Sequence, residues 1–194
     1  MTHSQSSRKL LKMIIIALLG TVSLFLFFLN FPLPLLPAYL KIDFSDVPAI
    51  LAAFVFSPVA GIAVVGIKNI LYFATVGSGD PVGVLANFLA GVMFIVPVSF
   101  MYHKYRKGVK SIITGLIAGT VVMTIGMVVL NYLVILPTYA TVMGWEMSAT
   151  EKWWSVLVGI LPFNVIKGII VSMLFVPLYL RMRTWIEQKR MNFA

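Results

Sequence analysis

The sequence predicts an all-α integral membrane protein, a bundle of six transmembrane helices with both termini on the cytoplasmic side. Three observations lead there. The 194 residues are 60% hydrophobic and 11% charged, with a mean hydropathy of +1.01; a soluble domain is nearer half apolar and about a quarter charged. Apolar segments recur near 10–29, 46–76, 82–102, 109–136 and 153–180. Most of the lysines and arginines fall into three clusters between or beyond those segments. No polar stretch is long enough for a separate soluble domain, so the chain reads as one membrane domain, 1–194.

The first segment, 10–29, follows a polar, basic N-terminus. A cleaved signal peptide is the competing reading. No small-residue cleavage pattern follows the apolar run and further spans come after it, so it is expected to be a retained helix.

The second segment, 46–76, is long enough to cross once or twice, and charge decides between the two. The cation clusters are Arg8, Lys9 and Lys12; Lys104, Arg106, Lys107 and Lys110; and Arg181, Arg183, Lys189 and Arg190. The positive-inside rule puts all three in the cytoplasm. That requires a break within 46–76, and Ser57-Pro58 supplies it, because proline disfavours helix in the residue before it. The expected helices are then 10–29, 46–57, 58–76, 82–102, 109–136 and 153–180. The second is too short to cross a hydrocarbon core of about 30 Å alone. Either it leans on its neighbours or the outer loop before it dips inward. That loop, 30–46, has three prolines yet is mostly apolar. Such a loop should pack on helix ends or on a ligand. Asp46 is placed to cap the second helix, with Pro48 in its first turn.

Several chemistries are excluded. There is no cysteine, and His3 and His103 are far apart, so no metal site is expected. There is no Gly-x-x-x-x-Gly-Lys-Ser/Thr loop, so the chain does not hydrolyse ATP. Gly77 to Pro81 reads as a plain outer turn. The net charge of +9 lies at the membrane surfaces, which argues against a nucleic-acid partner. The acids are placed in loops, and a span without a carboxylate argues against a proton-coupled carrier.

The spans instead carry amides and amines. Lys167 lies near the middle of 153–180, too far from either end to snorkel easily. Asn164 is three residues earlier, on the same helical face. Asn131 and Asn87 lie in the outer halves of their helices, and Lys68 and Asn69 are mid-helix. Together they describe an outward-facing polar pocket, with Lys68 either pairing with a helix end or lining the cavity. Interhelical glue is the plainer reading for Asn87 or Asn69 alone. Such a set suits a flat, uncharged heterocycle with carbonyls and ring N–H groups. Phe31, Tyr39, Phe44, Tyr132, Tyr139, Trp145 and Trp153 gather at the outer side, as stacking partners or as an aromatic belt. Gly115 and Gly119, and Ala17, Gly20 and Thr21, mark close-packing faces, the latter a candidate docking face for another membrane protein.

At these residues the chain resembles the substrate-binding S components of energy-coupling factor (ECF) transporters, of the riboflavin-specific RibU type. The resemblance rests on Leu40 to Pro48, Ser57 to Gly61 with Lys68 and Asn69, Asn87 to Gly91, and Pro162 to Gly168. It implies six helices, an outward pocket capped by the first loop, and high-affinity riboflavin binding with no resident cofactor and no catalytic residue. Asn131, Asn164 and Lys167 match positions expected to hydrogen-bond the flavin ring, with Leu40, Phe44 and Asn87 as further contacts. It also implies an energising partner, made of an ECF transmembrane coupling protein and two ECF ATPases, in the cytoplasmic membrane of a bacterium. The family often shows Ala-x-x-x-Ala on helix 1 for docking; here the match is Ala17-x-x-x-Thr21. The alternatives are an S component for another vitamin, a membrane-embedded enzyme using Lys167, and a structural subunit.

Overall fold

The computed structural model describes residues 5–37, 39–76, 79–105, 108–144 and 146–193. His3, Gly77, Ser78, Arg106, Lys107 and Trp145, used in the sequence reading, lie outside the described residues. Six continuous helices account for most of what is described: α1 (Gln5–Phe28), α2 (Asp46–Val55), α3 (Pro58–Thr75), α4 (Pro81–Tyr105), α5 (109–143) and α6 (149–193). All but α2 are long and apolar enough to cross a membrane. The expected six helices are present, and most run beyond their expected ends, α6 by four residues at its start and thirteen at its C-terminus (153–180 against 149–193).

The break at Ser57-Pro58 forms as its chemistry dictates. α2 stops at Val55, Ser57 turns to extended backbone, its hydroxyl accepts from the Ala60 amide at 3.3 Å, and Pro58 opens α3. At ten residues, α2 spans about 15 Å, half the hydrocarbon thickness. It survives by being enclosed. Ala49, Ile50, Ala52, Ala53 and Phe54 have no exposed surface, and the helix packs on α1, α3, α4 and α6. Its buried C-terminal end is satisfied from α4, where Ser99 Oγ donates to the Ala53 carbonyl and His103 Nε2 lies 2.9 Å from it. Phe54 stacks flat on Tyr102 at 3.9 Å and meets Phe175 edge-on at 5.2 Å, which ties the same end to α4 and α6.

The small-residue motifs resolve into internal packing. A side chain on Gly119 would strike the Phe94 carbonyl, and one on Gly115 the Val98 backbone, so this pair lets α5 lie against α4. Gly20 is likewise closed by Ile67 of α3, whereas Ala17 and Thr21 stay exposed on α1.

The proline-broken loop does dip inward. Two short strands, β1 (Phe31–Pro32) and β2 (Lys41–Ile42), pair antiparallel and form its neck. Ile42, Asp43 and Ser45 are then carried into the bundle, each 1% exposed or less. Asp46 is the first residue of α2, and Ser45 before it makes no capping bond. The expected capping role of Asp46 is therefore corrected: its carboxylate turns to the lysines described next.

Candidate functional site

Four residues of the first loop, Asp80 and five helices build one cavity of about 370 Å³ on the side of the bundle that carries the first loop. Phe27 of α1, Tyr72 of α3, Tyr139 of α5 and Phe163 of α6 supply aromatic surface, with Tyr39 and Leu40 from the loop. Asn87 from α4, Asn131 from α5, and Asn164 and Lys167 from α6 supply the polar groups. Of the six ligand residues expected from sequence, Leu40, Asn87, Asn131, Asn164 and Lys167 therefore lie along one wall or another of this cavity. Phe44 is not among the lining residues; its ring packs on Phe31 at 6.1 Å. Of the outer aromatics, Tyr132 and Trp153 meet each other edge to face at 5.5 Å.

α5 is locally distorted at Asn131, and α6 just before Asn164. α5 opens into a π turn at Asn131–Ile135, and α6 has one at Ser155–Ile160. Such single turns inside α-helices occur often at functional sites. Asn131 Nδ2 donates to the Met127 carbonyl and Asn164 Nδ2 to the Ile160 carbonyl, both at 2.7 Å. Each amide is thus anchored to its own helix by one N–H, which leaves Oδ1 and the second N–H to the cavity.

Lys167 joins the cavity to a buried ion cluster. Its ammonium lies 3.0 Å from Asp43 Oδ2 and 3.4 Å from Asp46 Oδ2. Lys68, with no exposed surface, lies 3.9 Å from Asp46 Oδ1 and donates to Ser45 Oγ at 2.8 Å and to Asn87 Oδ1 at 2.7 Å. Asp43 Oδ1 accepts from the Ser45 amide at 2.9 Å and from the Ser45 hydroxyl, and Ser23 of α1 donates to the Ser45 carbonyl at 2.5 Å. Burial pushes the Asp43 carboxyl up, but Lys167, Lys68 and the Ser45 hydroxyl outweigh it and hold the group below the ordinary carboxylate range. Two ammonium groups and two carboxylates balance, so the cluster carries no net charge. It fastens the loop and the start of α2 to α1, α3, α4 and α6.

This corrects one expectation: the acids do lie in or beside the loops, but Asp43 and Asp46 do not stand apart from the polar residues of the spans. Asp43 and Asp46 are each 1% exposed and both face Lys167. Lys167 does not snorkel; it is 4% exposed and ion-paired. Lys68 both pairs near the start of α2 and, through Asn87, touches the cavity. The sequence reading also missed Phe27, Tyr72, Phe163 and Asp80. Asp80 accepts from the Gly83 amide at 2.8 Å and from the Tyr139 hydroxyl at 2.6 Å, so it opens α4 and fixes Tyr139 at the cavity. An acid just before a proline-led helix was the available signal.

Comparison with known proteins agrees with this architecture. A family model described as "ECF transporter, substrate-specific component" matches residues 11–179. The riboflavin transporter FmnP of Bacillus subtilis (strain 168) is 45% identical over 185 residues, 94% of this chain and 97% of that one. The riboflavin transporter RibU of Staphylococcus aureus (strain TCH60) is 44% identical over 177 residues, 91% and 93% of the two chains. A solved structure of the S component of a bacterial ECF transporter superposes with a TM-score of 0.79 at 44% identity, covering 92% of this chain and 98% of that one.

Proposed function

Because the chain belongs to the family of ECF transporter substrate-specific components, we propose that it binds riboflavin at the outer face of a bacterial cell membrane and delivers it for uptake. It is a binding and transport component rather than an enzyme. The observation that carries the substrate is the convergence of three asparagine amides and a lysine on one aromatic-lined cavity. Its volume lies within the range of about 300–1,000 Å³ usual for small-molecule sites. Asn131 and Asn164 present carbonyl oxygens that suit a ring N–H, and Lys167 presents N–H groups that suit ring carbonyls. Phe27, Tyr72, Tyr139 and Phe163 offer faces and edges for a three-ring heterocycle. The names of the relatives at 44–45% identity point to the same vitamin.

The energy comes from other chains, since no phosphate-binding loop is present. A transmembrane coupling protein and two ATPases would supply it. The exposed side of α1, where Ala17 and Thr21 lie, is the face proposed for docking; Gly20 belongs to internal packing. Both termini and the 104–110 connection face the cytoplasm on the cation rule, which sets the cavity outward.

The direct experiment is purification in detergent from cells grown with riboflavin, followed by an absorbance spectrum and a fluorescence titration of added riboflavin. A yellow, flavin-like spectrum and saturable quenching at one site per chain are expected. A colourless protein that leaves riboflavin fluorescence unchanged would remove riboflavin as the ligand and favour another vitamin.

A further inference from the structure

Lys68 is fully buried and does not line the cavity, yet one of its bonds reaches a residue that does. Its ammonium lies 2.7 Å from Asn87 Oδ1. The two ends of an asparagine amide are ordinarily interchangeable in position. Here they are not, because an ammonium has donors only and can be met only by the amide oxygen. Nδ2 is the end left over, and Asn87 is half-buried on the cavity wall. Among the described residues no protein group accepts from Nδ2. Asn87 therefore differs from Asn131 and Asn164, whose nitrogens are tied to their own helices and whose oxygens are left to the cavity.

Lys68 is itself held from three directions. Asp46 balances its charge at 3.9 Å, Ser45 Oγ takes a second hydrogen bond at 2.8 Å, and the Phe27 ring lies under it at 5.0 Å from the centroid. Swinging the ammonium away from Asn87 would leave a buried charge less satisfied, so the orientation is rigid.

We propose that Lys68 is a positioning residue that sets the polarity of the ligand site through Asn87. By holding Oδ1 it turns the Asn87 N–H groups toward the cavity and makes this asparagine a donor to an oxygen or ring-nitrogen acceptor of the ligand. This rests on the riboflavin reading for the identity of the acceptor, and it predicts that the site's donor and acceptor pattern is fixed before ligand arrives.

The test is a thermodynamic cycle on riboflavin affinity, read by fluorescence quenching. Its four corners are the wild type, Asn87→Ala, the charge-balanced pair Lys68→Met with Asp46→Asn, and all three changes together. Asn87→Ala is expected to weaken binding by about three- to tenfold, the range for one hydrogen bond. Asp46 also faces Lys167 at 3.4 Å, so Asp46→Asn alone is measured in both backgrounds and its effect divided out; what remains of the pair should weaken binding similarly in the wild-type background and leave it unchanged where Asn87 is already Ala. Losses that multiply across the cycle would make Lys68 a merely structural residue and overturn the proposal, as would wild-type affinity in Asn87→Ala. If the pair does not fold, Asn87→Asp serves in its place. It keeps a partner for Lys68 but faces the ligand with an acceptor, and should bind more weakly than Asn87→Ala; retained affinity overturns the proposal.

A measurement without riboflavin separates this idea from the function it rests on. In ligand-free protein labelled with ¹⁵N-asparagine, the Asn87 side-chain NH₂ signal is identified by its loss in Asn87→Ala. It should show cross-relaxation with cavity water. An NH₂ group shielded from water overturns the proposal even if riboflavin binds, and a water-facing one upholds the orientation even if riboflavin does not.

Discussion

The ammonium of Lys167 lies 3.0 Å from the carboxylate of Asp43, a residue 124 positions earlier in the chain. The first loop and the last helix are thus joined by a buried ion pair at the edge of the cavity. Asp46, 3.4 Å from the same ammonium, and Lys68 complete a neutral set of four.

The first prediction concerns that set. Lys167→Ala leaves two buried carboxylates facing one ammonium, and breaking a buried pair from one side costs about 3–5 kcal/mol. The Asp43 contact therefore makes Lys167 a stability residue as well as a cavity residue. A large fall in the detergent melting temperature is expected. Lys167→Met combined with Asp43→Asn restores neutrality and should recover much of the loss. If the single variant melts like the wild type, the ion cluster is not holding the loop.

How much of this was legible in the sequence follows from the range of each interaction. The Ser57-Pro58 break and the short α2 were readable, because proline and capping chemistry act over three or four residues. The polar residues Asn131, Asn164 and Lys167 were readable as well, because a lipid-crossing helix makes each of them costly. Asp43 was not. A carboxylate in a proline-rich loop looks solvated, and only a contact between distant segments reveals its partner. The aromatic residues Phe27, Tyr72 and Phe163 were hidden for a different reason: in an apolar helix, nothing local separates a cavity-facing ring from a lipid-facing one. The π turns at 131–135 and 155–160 have no sequence rule that finds them.

The second prediction concerns orientation. By the positive-inside rule the three cation clusters predict Arg106 and the C-terminus in the cytoplasm and Trp145 outside. The chain has no cysteine, so single cysteines can be introduced at each position. An impermeant thiol reagent applied to intact cells should label position 145 and spare 106. The reverse pattern would invert the bundle and turn the cavity inward.

The third prediction concerns energy. Without a phosphate-binding loop, the purified single chain should show no ATP hydrolysis above the detergent blank. Riboflavin accumulation in cells should stop when the separate ATPases are removed, while binding to the purified chain persists. Continued accumulation without them would require another source of energy.

The fourth prediction concerns the first loop. Lys41 is exposed in β2 and also lines the cavity, while Asp43, two residues on, is anchored in the ion cluster. A bound ligand adds contacts to Leu40 and Tyr39 at the same neck. Saturating riboflavin should therefore slow tryptic cleavage after Lys41. Equal cleavage with and without the vitamin would mean that the loop is held by its ion pairs alone and does not respond to ligand.

The last prediction isolates binding from folding. Among the described residues, the hydrogen bond made by Asn164 is to Ile160 of its own helix, so deleting its side chain breaks no tie between helices. Asn164→Ala should keep the wild-type melting temperature to within a few degrees. Its cavity-facing amide is lost, however, and riboflavin affinity should fall at least about tenfold, equivalent to about 1.4 kcal/mol. This separates Asn164 from Lys167, where stability and affinity are entangled through Asp43. An enzyme using Lys167 would lose turnover in the lysine variants while Asn164→Ala kept its affinity. A purely structural role would lower the melting temperature and leave binding per folded molecule unchanged. Fluorescence titration and thermal melting on the same preparation distinguish these outcomes, and unchanged affinity in Asn164→Ala would take this amide out of the flavin site.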